Sequence, residues 1–303
     1  MLITLLLILS IIENLFGPNV LLSKIQQLQP INETGEQKKI GFEMISYMPS
    51  AQQNINSVPL QSDAKVALIY DLTGKKVLYS KAEEDSVPVA SLTKLMTALV
   101  IMKQHSPEEI VTIPDGLPKL DTDDQKLNIQ PGDQFRLSDL MNALLIYSAN
   151  DVANALAIWD SGSIENFSIK MNDYAKQWGL DKSNFSNPNG LDEINHKSSA
   201  SDILVLATIL IQNDEFKKII NTQSKTIQNL DGKKYQLTTT NKLLNLPYVY
   251  GIKTGFTKEA GQSLVLLAEK DDHQIITLVL NSPDRFTESN NMIKYTFDNY
   301  SWK

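Results

Sequence analysis

Two β-rich stretches lie near opposite ends of the sequence, and apolar residues between them recur with helical spacing. That order constrains the fold more than any other feature. Residues 67–71 and 76–80 are short strand-like runs around Leu72-Thr-Gly-Lys75, which reads as a hairpin. Residues 264–269 and 274–281 flank Asp271-Asp272 and predict a second, antiparallel hairpin. The intervening residues predict helices: 90–102 with Leu95, Leu99 and Met102 on one face, one capped by Ser138, another from the break near Ser148 to Trp159, and an apolar one over 201–212. Phe167, Met171, Tyr174 and Trp178 form an aromatic-rich stripe that stops at Gly179 and reads as core. Asp284 caps a final helix ending near Tyr300. Strands, helices, then strands and a helix predict an α+β fold: an antiparallel sheet shared by both chain ends, flanked by helices, with a helical subdomain inserted between the N- and C-terminal strands.

Composition narrows the function. The 303 residues carry a net charge of −7, so a nucleic-acid backbone is not an expected partner. There is no cysteine, which removes disulfides, thiolate catalysis and thiolate zinc sites. Residues 2–12 are apolar apart from Thr4 and Ser10, and 15–22 form a weaker apolar run. The first run has the length of a signal-peptide core and is too short to span a bilayer alone. Residues 1–22 are therefore expected to be a signal peptide or N-terminal membrane anchor. Residues 23–61 read as a polar linker with one short strand within 40–47, and 62–303 as the globular domain.

Serine is a weak nucleophile near neutral pH and needs a base beside it. The three histidines, His105, His196 and His273, occupy no nucleophile elbow and read as structural. A lysine can serve where burial and a nearby cation lower its pKa. Ser91-Leu-Thr-Lys94 puts hydroxyl and amine on one face of a helix, with Ser91 in the first turn near the positive end of the dipole. Ser62-Asp-Ala-Lys65 has the same spacing but precedes a strand and is set aside. Two further elements follow in order. Ser148-Ala-Asn150 falls at a helix break, where both side chains can enter a cleft. Lys253-Thr-Gly255 contains a glycine expected to let a substrate backbone approach a strand.

This trio resembles that of penicillin-binding proteins and serine β-lactamases. The surrounding text is closer to the low-molecular-mass D-alanyl-D-alanine carboxypeptidases. The matching stretches are Val87-Pro-Val-Ala-Ser-Leu-Thr-Lys-Leu-Met-Thr97, Ser148-Ala-Asn-Asp151, Phe185-Ser-Asn-Pro-Asn-Gly-Leu-Asp192 and Gly251-Ile-Lys-Thr-Gly-Phe-Thr257, with Ala260-Gly261 and Arg285. The resemblance implies a β-lactamase-like fold and hydrolysis of the terminal D-Ala-D-Ala bond of peptidoglycan stem peptides, with β-lactams as covalent inhibitors and no metal or organic cofactor. It implies Ser91 as nucleophile, Lys94 as base, and Ser148 as proton relay bonded to Lys94. Asn150 would hold the substrate amide, and Lys253 would keep Lys94 less protonated. Thr254 and Arg285 would bind the terminal carboxylate, and the N–H groups of Ser91 and Phe256, beside Gly255, would form the oxyanion hole.

The resemblance also implies export to the bacterial cell envelope. Many relatives carry a C-terminal β-domain and amphipathic helix, whereas this sequence stops at Lys303, so membrane attachment is expected through the N-terminal segment. Asn189 stands where relatives carry His or Thr, which leaves substrate tuning open. A D,D-endopeptidase of peptidoglycan cross-links would use the same machinery. A β-lactamase would need a Glu-x-x-Leu-Asn loop, which residues 161–195 lack. A non-catalytic penicillin sensor would not need the intact Ser91, Lys94 and Lys253.

Overall fold

The computed structural model describes residues 51–55 and 57–302. Segment 1–22, most of the 23–61 linker and the strand expected within 40–47 lie outside them. Residues expected in the linker nevertheless contribute a strand: β1 (Ala51–Gln53) pairs antiparallel with the C-terminal β11 (Tyr300–Trp302). Among the described residues, no helix is long and apolar enough to cross a membrane.

Both expected hairpins form. β2 (Val66–Asp71) pairs with β3 (Lys76–Lys81), and β9 (Gly261–Lys270) with β10 (His273–Ser282). Asp271 and Asp272, at φ 52° and 63°, make the two-residue turn between β9 and β10. Positive φ at both positions matches the twist of the flanking strands. β8 (Val249–Thr257) joins β9, and the five antiparallel strands run β3-β2-β10-β9-β8. The β2–β10 ladder, with Leu68 opposite Leu278, closes the two chain ends into one sheet. β4 (Ile110–Thr112) with β5 (Gln134–Arg136), and β6 (Ser224–Gln228) with β7 (Lys234–Thr238), are separate two-stranded pairs.

Alternation along the central strands divides the core. Val66, Leu68, Tyr70, Ile276, Leu278 and Leu280 face the inserted helices. Ala67, Ile69, Leu264, Leu266, Ile275 and Val279 face the last helix, with its Met292 and Ile293. Both faces are covered, which is why these strands read as nearly unbroken apolar runs.

The insertion contains α1 (Lys94–Gln104), α2 (Leu137–Asn142), α3 (Asn150–Ser161), α4 (Ile164–Gln177), α5 (Ala200–Leu210) and α6 (Asp214–Ile220); α7 (Arg285–Asn299) follows the sheet. α1 differs from the one-faced helix the spacing suggested. Every residue from Lys94 to Ile101 is buried, because α3, α4 and α5 surround it. A helix apolar on all sides belongs in the interior. Ser138 is not the cap expected of it. Arg136 occupies that position, and the N–H groups of Leu137 and Ser138 bond the main-chain oxygens of Glu109 (2.8 Å) and Pro107 (2.9 Å). These main-chain acceptors satisfy the orphan donors that a capping hydroxyl would otherwise take. Phe167 and Met171 on α4 are fully buried core, and Gly179 beyond it has φ 67°. Asp284 caps α7 by accepting from the N–H groups of Phe286 and Thr287.

Candidate active site

Ser91 lies in a 3-10 turn, Ala90–Thr93, that runs straight into α1. Two glycines let other segments pack against this turn. A Cβ on Gly190, at φ 85°, would sit 2.0 Å from the Ala90 carbonyl oxygen. A Cβ on Gly255 would sit 2.9 Å from the Val89 oxygen and 3.3 Å from Ser91 N. Gly255 was expected to admit a substrate backbone; here its bare Cα admits the chain's own nucleophile turn.

Lys94 is completely buried, one helical turn beyond Ser91. Its Nζ lies 2.8 Å from Ser91 Oγ, 2.6 Å from Asn150 Oδ1 and 2.6 Å from the main-chain oxygen of Asn189. Burial holds its pKa well below the ordinary lysine range, and the Lys253 charge pushes the same way against smaller opposing effects of Asp124 and Asp151. A neutral amine has two N–H bonds and one lone pair. The two carbonyl oxygens can take both N–H groups, which leaves the lone pair for the Ser91 hydroxyl.

Ser148 and Asn150 are brought into the cleft by a break in helical geometry. Residues Ala143–Tyr147 form a π-type turn ending at Ser148, which adopts a left-handed conformation at φ 66°. Such turns displace side chains from the regular helical path. Asn150 then opens α3, and its N–H bonds Gln125 O at 2.7 Å. Asp151 accepts from Leu127 N and Ile129 N, fastening the 125–129 loop to the start of α3. The expected bond between Ser148 and Lys94 is replaced by another. Ser148 Oγ accepts from Lys253 Nζ at 2.8 Å, because the left-handed turn aims the hydroxyl at β8 rather than at α1. Asn150, expected to hold substrate, spends its Oδ1 on Lys94.

Lys253, Thr254, Gly255 and Phe256 lie on β8, the edge strand of the sheet. Lys253 is 2% exposed, and burial together with the Arg285 charge lowers its pKa to about 7. Arg285, first residue of α7, donates from Nη1 to the Gly255 oxygen at 2.6 Å, while its Nε is buried without a partner among the described residues. Lys94, Lys253 and Arg285 thus set three basic side chains around one cleft, which Ser91, Ser148, Asn150, Thr254, Gly255, Phe256 and Arg285 all line. Phe256 is exposed at its rim.

Sequence reasoning missed several residues of this cleft. Thr240 Oγ1 lies 2.5 Å from Thr254 Oγ1. Asp121, Asp123 and Asp124 line the opposite wall. Asp192 accepts from Thr257 Oγ1 at 2.5 Å and ties the 185–192 loop to the end of β8. Asp192 closes the matching stretch 185–192, though its tie to Thr257 is not legible there; Thr240, Asp121, Asp123 and Asp124 sit in no local pattern that would single them out. The decoy Ser62 bonds Glu288 instead. His196 is a buried structural tie: its Nδ1 accepts from Ser186 N, so its Nε2–H donates to Thr93 Oγ1 at 2.7 Å. Burial lowers its pKa to about 4, so it stays neutral.

An antiparallel sheet bridging both chain ends, with the cleft between its edge strand and an inserted helical region, is the architecture of the D,D-peptidases and penicillin-binding proteins. The chain belongs to the D-alanyl-D-alanine carboxypeptidase family, which matches residues 52–284. It is 31% identical over 271 residues to the D-alanyl-D-alanine carboxypeptidase DacF of Bacillus subtilis, covering 86% of this chain and 70% of the relative. It is 32% identical over 264 residues to DacC of Escherichia coli, covering 82% of this chain and 64% of the relative. A D-alanyl-D-alanine endopeptidase of Haemophilus influenzae is 32% identical over 210 residues, covering 67% of this chain and 70% of the relative. Penicillin-binding protein D2 of Listeria monocytogenes, in its ampicillin-bound form, superposes with a TM-score of 0.68 at 27% identity, covering 79% of this chain and all of that one.

Proposed function

We propose that this chain hydrolyses the terminal D-Ala-D-Ala bond of peptidoglycan stem peptides through an ester on Ser91. The observation that carries this reading is the three-way grip on Lys94, which directs an amine lone pair at the Ser91 hydroxyl. Ser91 Oγ attacks the carbonyl carbon of the penultimate D-alanine, and Lys94 accepts its proton. The N–H groups of Ser91 and Phe256 stabilise the oxyanion that forms. When the C–N bond breaks, the leaving amine takes, by way of the Ser148 hydroxyl, the proton that Lys94 accepted, so that Lys94 is a neutral base again. Water then attacks the ester, gives its proton to Lys94 and restores the Ser91 hydroxyl.

Arg285 and Lys253, with the Thr254 hydroxyl, favour a substrate ending in a free carboxylate at their end of the cleft. β8 is an edge strand beside the cleft, so an extended peptide can add to it. The same cleft is proposed to take β-lactams as covalent inhibitors. Apolar residues 2–12 and 15–22 support export and membrane attachment on the envelope face of the bacterium.

The test uses a fluorescent penicillin and a D-Ala-D-Ala peptide with wild type, Ser91→Ala and Lys94→Ala. Labelling and D-alanine release should both occur in wild type and vanish in each variant, with unchanged circular dichroism. Labelling without release would make the protein a sensor. Preferential cleavage of cross-linked dimers would make it an endopeptidase, and rapid penicillin turnover a β-lactamase. Normal acylation by Lys94→Ala would remove lysine from the base role.

A further inference from the structure

Lys94 is held on one side by a side chain and on the other by a main-chain oxygen. Asn150 Oδ1 takes one N–H directly. The oxygen of Asn189 takes the other from a loop, and a loop carbonyl is only as well aimed as the loop is fixed. Asn154 lies four residues after Asn150, on the same face of α3. It is 2% exposed, and its Oδ1 accepts from Asn189 Nδ2 at 2.9 Å. Asn189 Oδ1 in turn accepts from Leu191 N at 2.8 Å. One turn of α3 therefore grips Lys94 twice, once by contact and once through Asn189.

We propose that Asn154 is a positioning residue for the reaction: by fixing the Asn189 side chain it aims the Asn189 carbonyl at Lys94 and so keeps the amine lone pair on Ser91. The proposal rests on Lys94 being the base. Other anchors hold the loop near its place but act elsewhere. Thr97 Oγ1 donates to the Pro188 oxygen, and Gly190 N bonds Asn187 Oδ1. Two bonds act on the side chain of the residue whose carbonyl meets Lys94: the one from Leu191 N stays within the loop, and the one to Asn154 ties that side chain to α3. A buried amide whose partner is truncated must reorganise to satisfy its own N–H, and the main chain turns with it.

The experiment separates acylation by a fluorescent penicillin into its binding constant and its first-order acylation constant. Asn154→Ala should lower the acylation constant by ~10-fold to ~100-fold, the range for a catalytic group displaced by about an ångström, with binding unchanged within about two-fold. Asn189→Ala keeps the carbonyl but breaks the same bond, so it should show a similar loss. Asn189→Ala also removes the bond from Leu191 N, so the double variant should be no slower than Asn189→Ala, because Asn154 has no Asn189 amide left to position. Additive losses, or a wild-type acylation constant in Asn154→Ala, would overturn the proposal. If Asn154→Ala does not fold, Asn189→Ala carries the test alone, and a wild-type constant there overturns it. Lys94→Ala run in parallel distinguishes the two levels. An inactive Lys94→Ala beside a fully active Asn154→Ala refutes only the role of Asn154, whereas an active Lys94→Ala refutes the base assignment beneath it.

Discussion

Lys253 Nζ donates to Ser148 Oγ at 2.8 Å, joining the KTG strand to the helix break from 105 positions away in the chain. The bond fixes the Ser148 hydroxyl while leaving its own hydrogen free to point elsewhere. Ser148→Ala should therefore slow acylation by ~10²-fold or more, the usual contribution of a positioned proton carrier. The melting temperature should change little. Stopped-flow acylation with a chromogenic β-lactam measures this, and a variant within two-fold of wild type would show that Ser148 moves no proton.

The buried lysines make stability depend on pH in a particular direction. The folded-state pKa of Lys253, about 7, lies below the ~10.4 of an unfolded lysine, and Lys94 is lowered too. Between those values the unfolded chain binds more protons, so stability should rise with pH above about 7 and fall as pH returns to it. Asp202, raised to about 6 by burial, and His196, at about 4, finish titrating below this window. Tyr70, raised to about 12, opposes this trend only above the ~10 of an unfolded tyrosine. Thermal melts at pH 7.5 and 9.5, both within this span, should show the higher midpoint at the higher pH. Lys253→Met should reduce the difference. A midpoint that falls across the window would contradict the depressed lysine pKa values.

Gly190 allows the 185–192 loop to touch the nucleophile turn. Gly190→Ala would drive a methyl group into the Ala90 carbonyl and strain the backbone at φ 85°. It should cost about 2–4 kcal/mol, as other combined steric and backbone faults do, and should also slow acylation by moving Asn189. Urea unfolding gives the first quantity and penicillin labelling the second. Wild-type values for both would mean that the loop relaxes freely.

Thr240 supports the Thr254 hydroxyl, which faces the proposed carboxylate end of the cleft. Thr240→Val keeps the shape and removes the bond. KM for a D-Ala-D-Ala peptide should rise about 3- to 10-fold, the worth of roughly one hydrogen bond, with kcat nearly unchanged. The same peptide with a C-terminal amide should respond less. An equal response by both peptides would separate Thr240 from carboxylate recognition.

The two hairpins, the α7 cap at Asp284 and the order of strands and helices were legible because each depends on neighbours within a few positions. Turn chemistry at Asp271-Asp272 and side-chain alternation in β9 and β10 are local signals. The three motifs were legible for the same reason, since Ser91 and Lys94 need only one helical turn to meet. Ser138 was misread because its helix start is satisfied by the carbonyls of Pro107 and Glu109, which no local pattern reveals. Thr240 and Asn154 were missed, and the part Asp192 plays within its stretch was not legible, because they act only through partners distant in sequence.

By itself, then, the amino-acid order specified the local geometry: which residues share a strand face, which hydroxyl sits a helical turn from which amine, and where a helix must break. Only the tertiary structure decided that Ser148 serves Lys253 rather than Lys94, that Gly255 admits the nucleophile turn, and that a loop carbonyl completes the grip on Lys94. The reason is physical. Periodicity and turn chemistry act over a few residues, whereas these contacts depend on β2 pairing with β10 and on helices packing around α1. Their partners are set by the closure of the whole core.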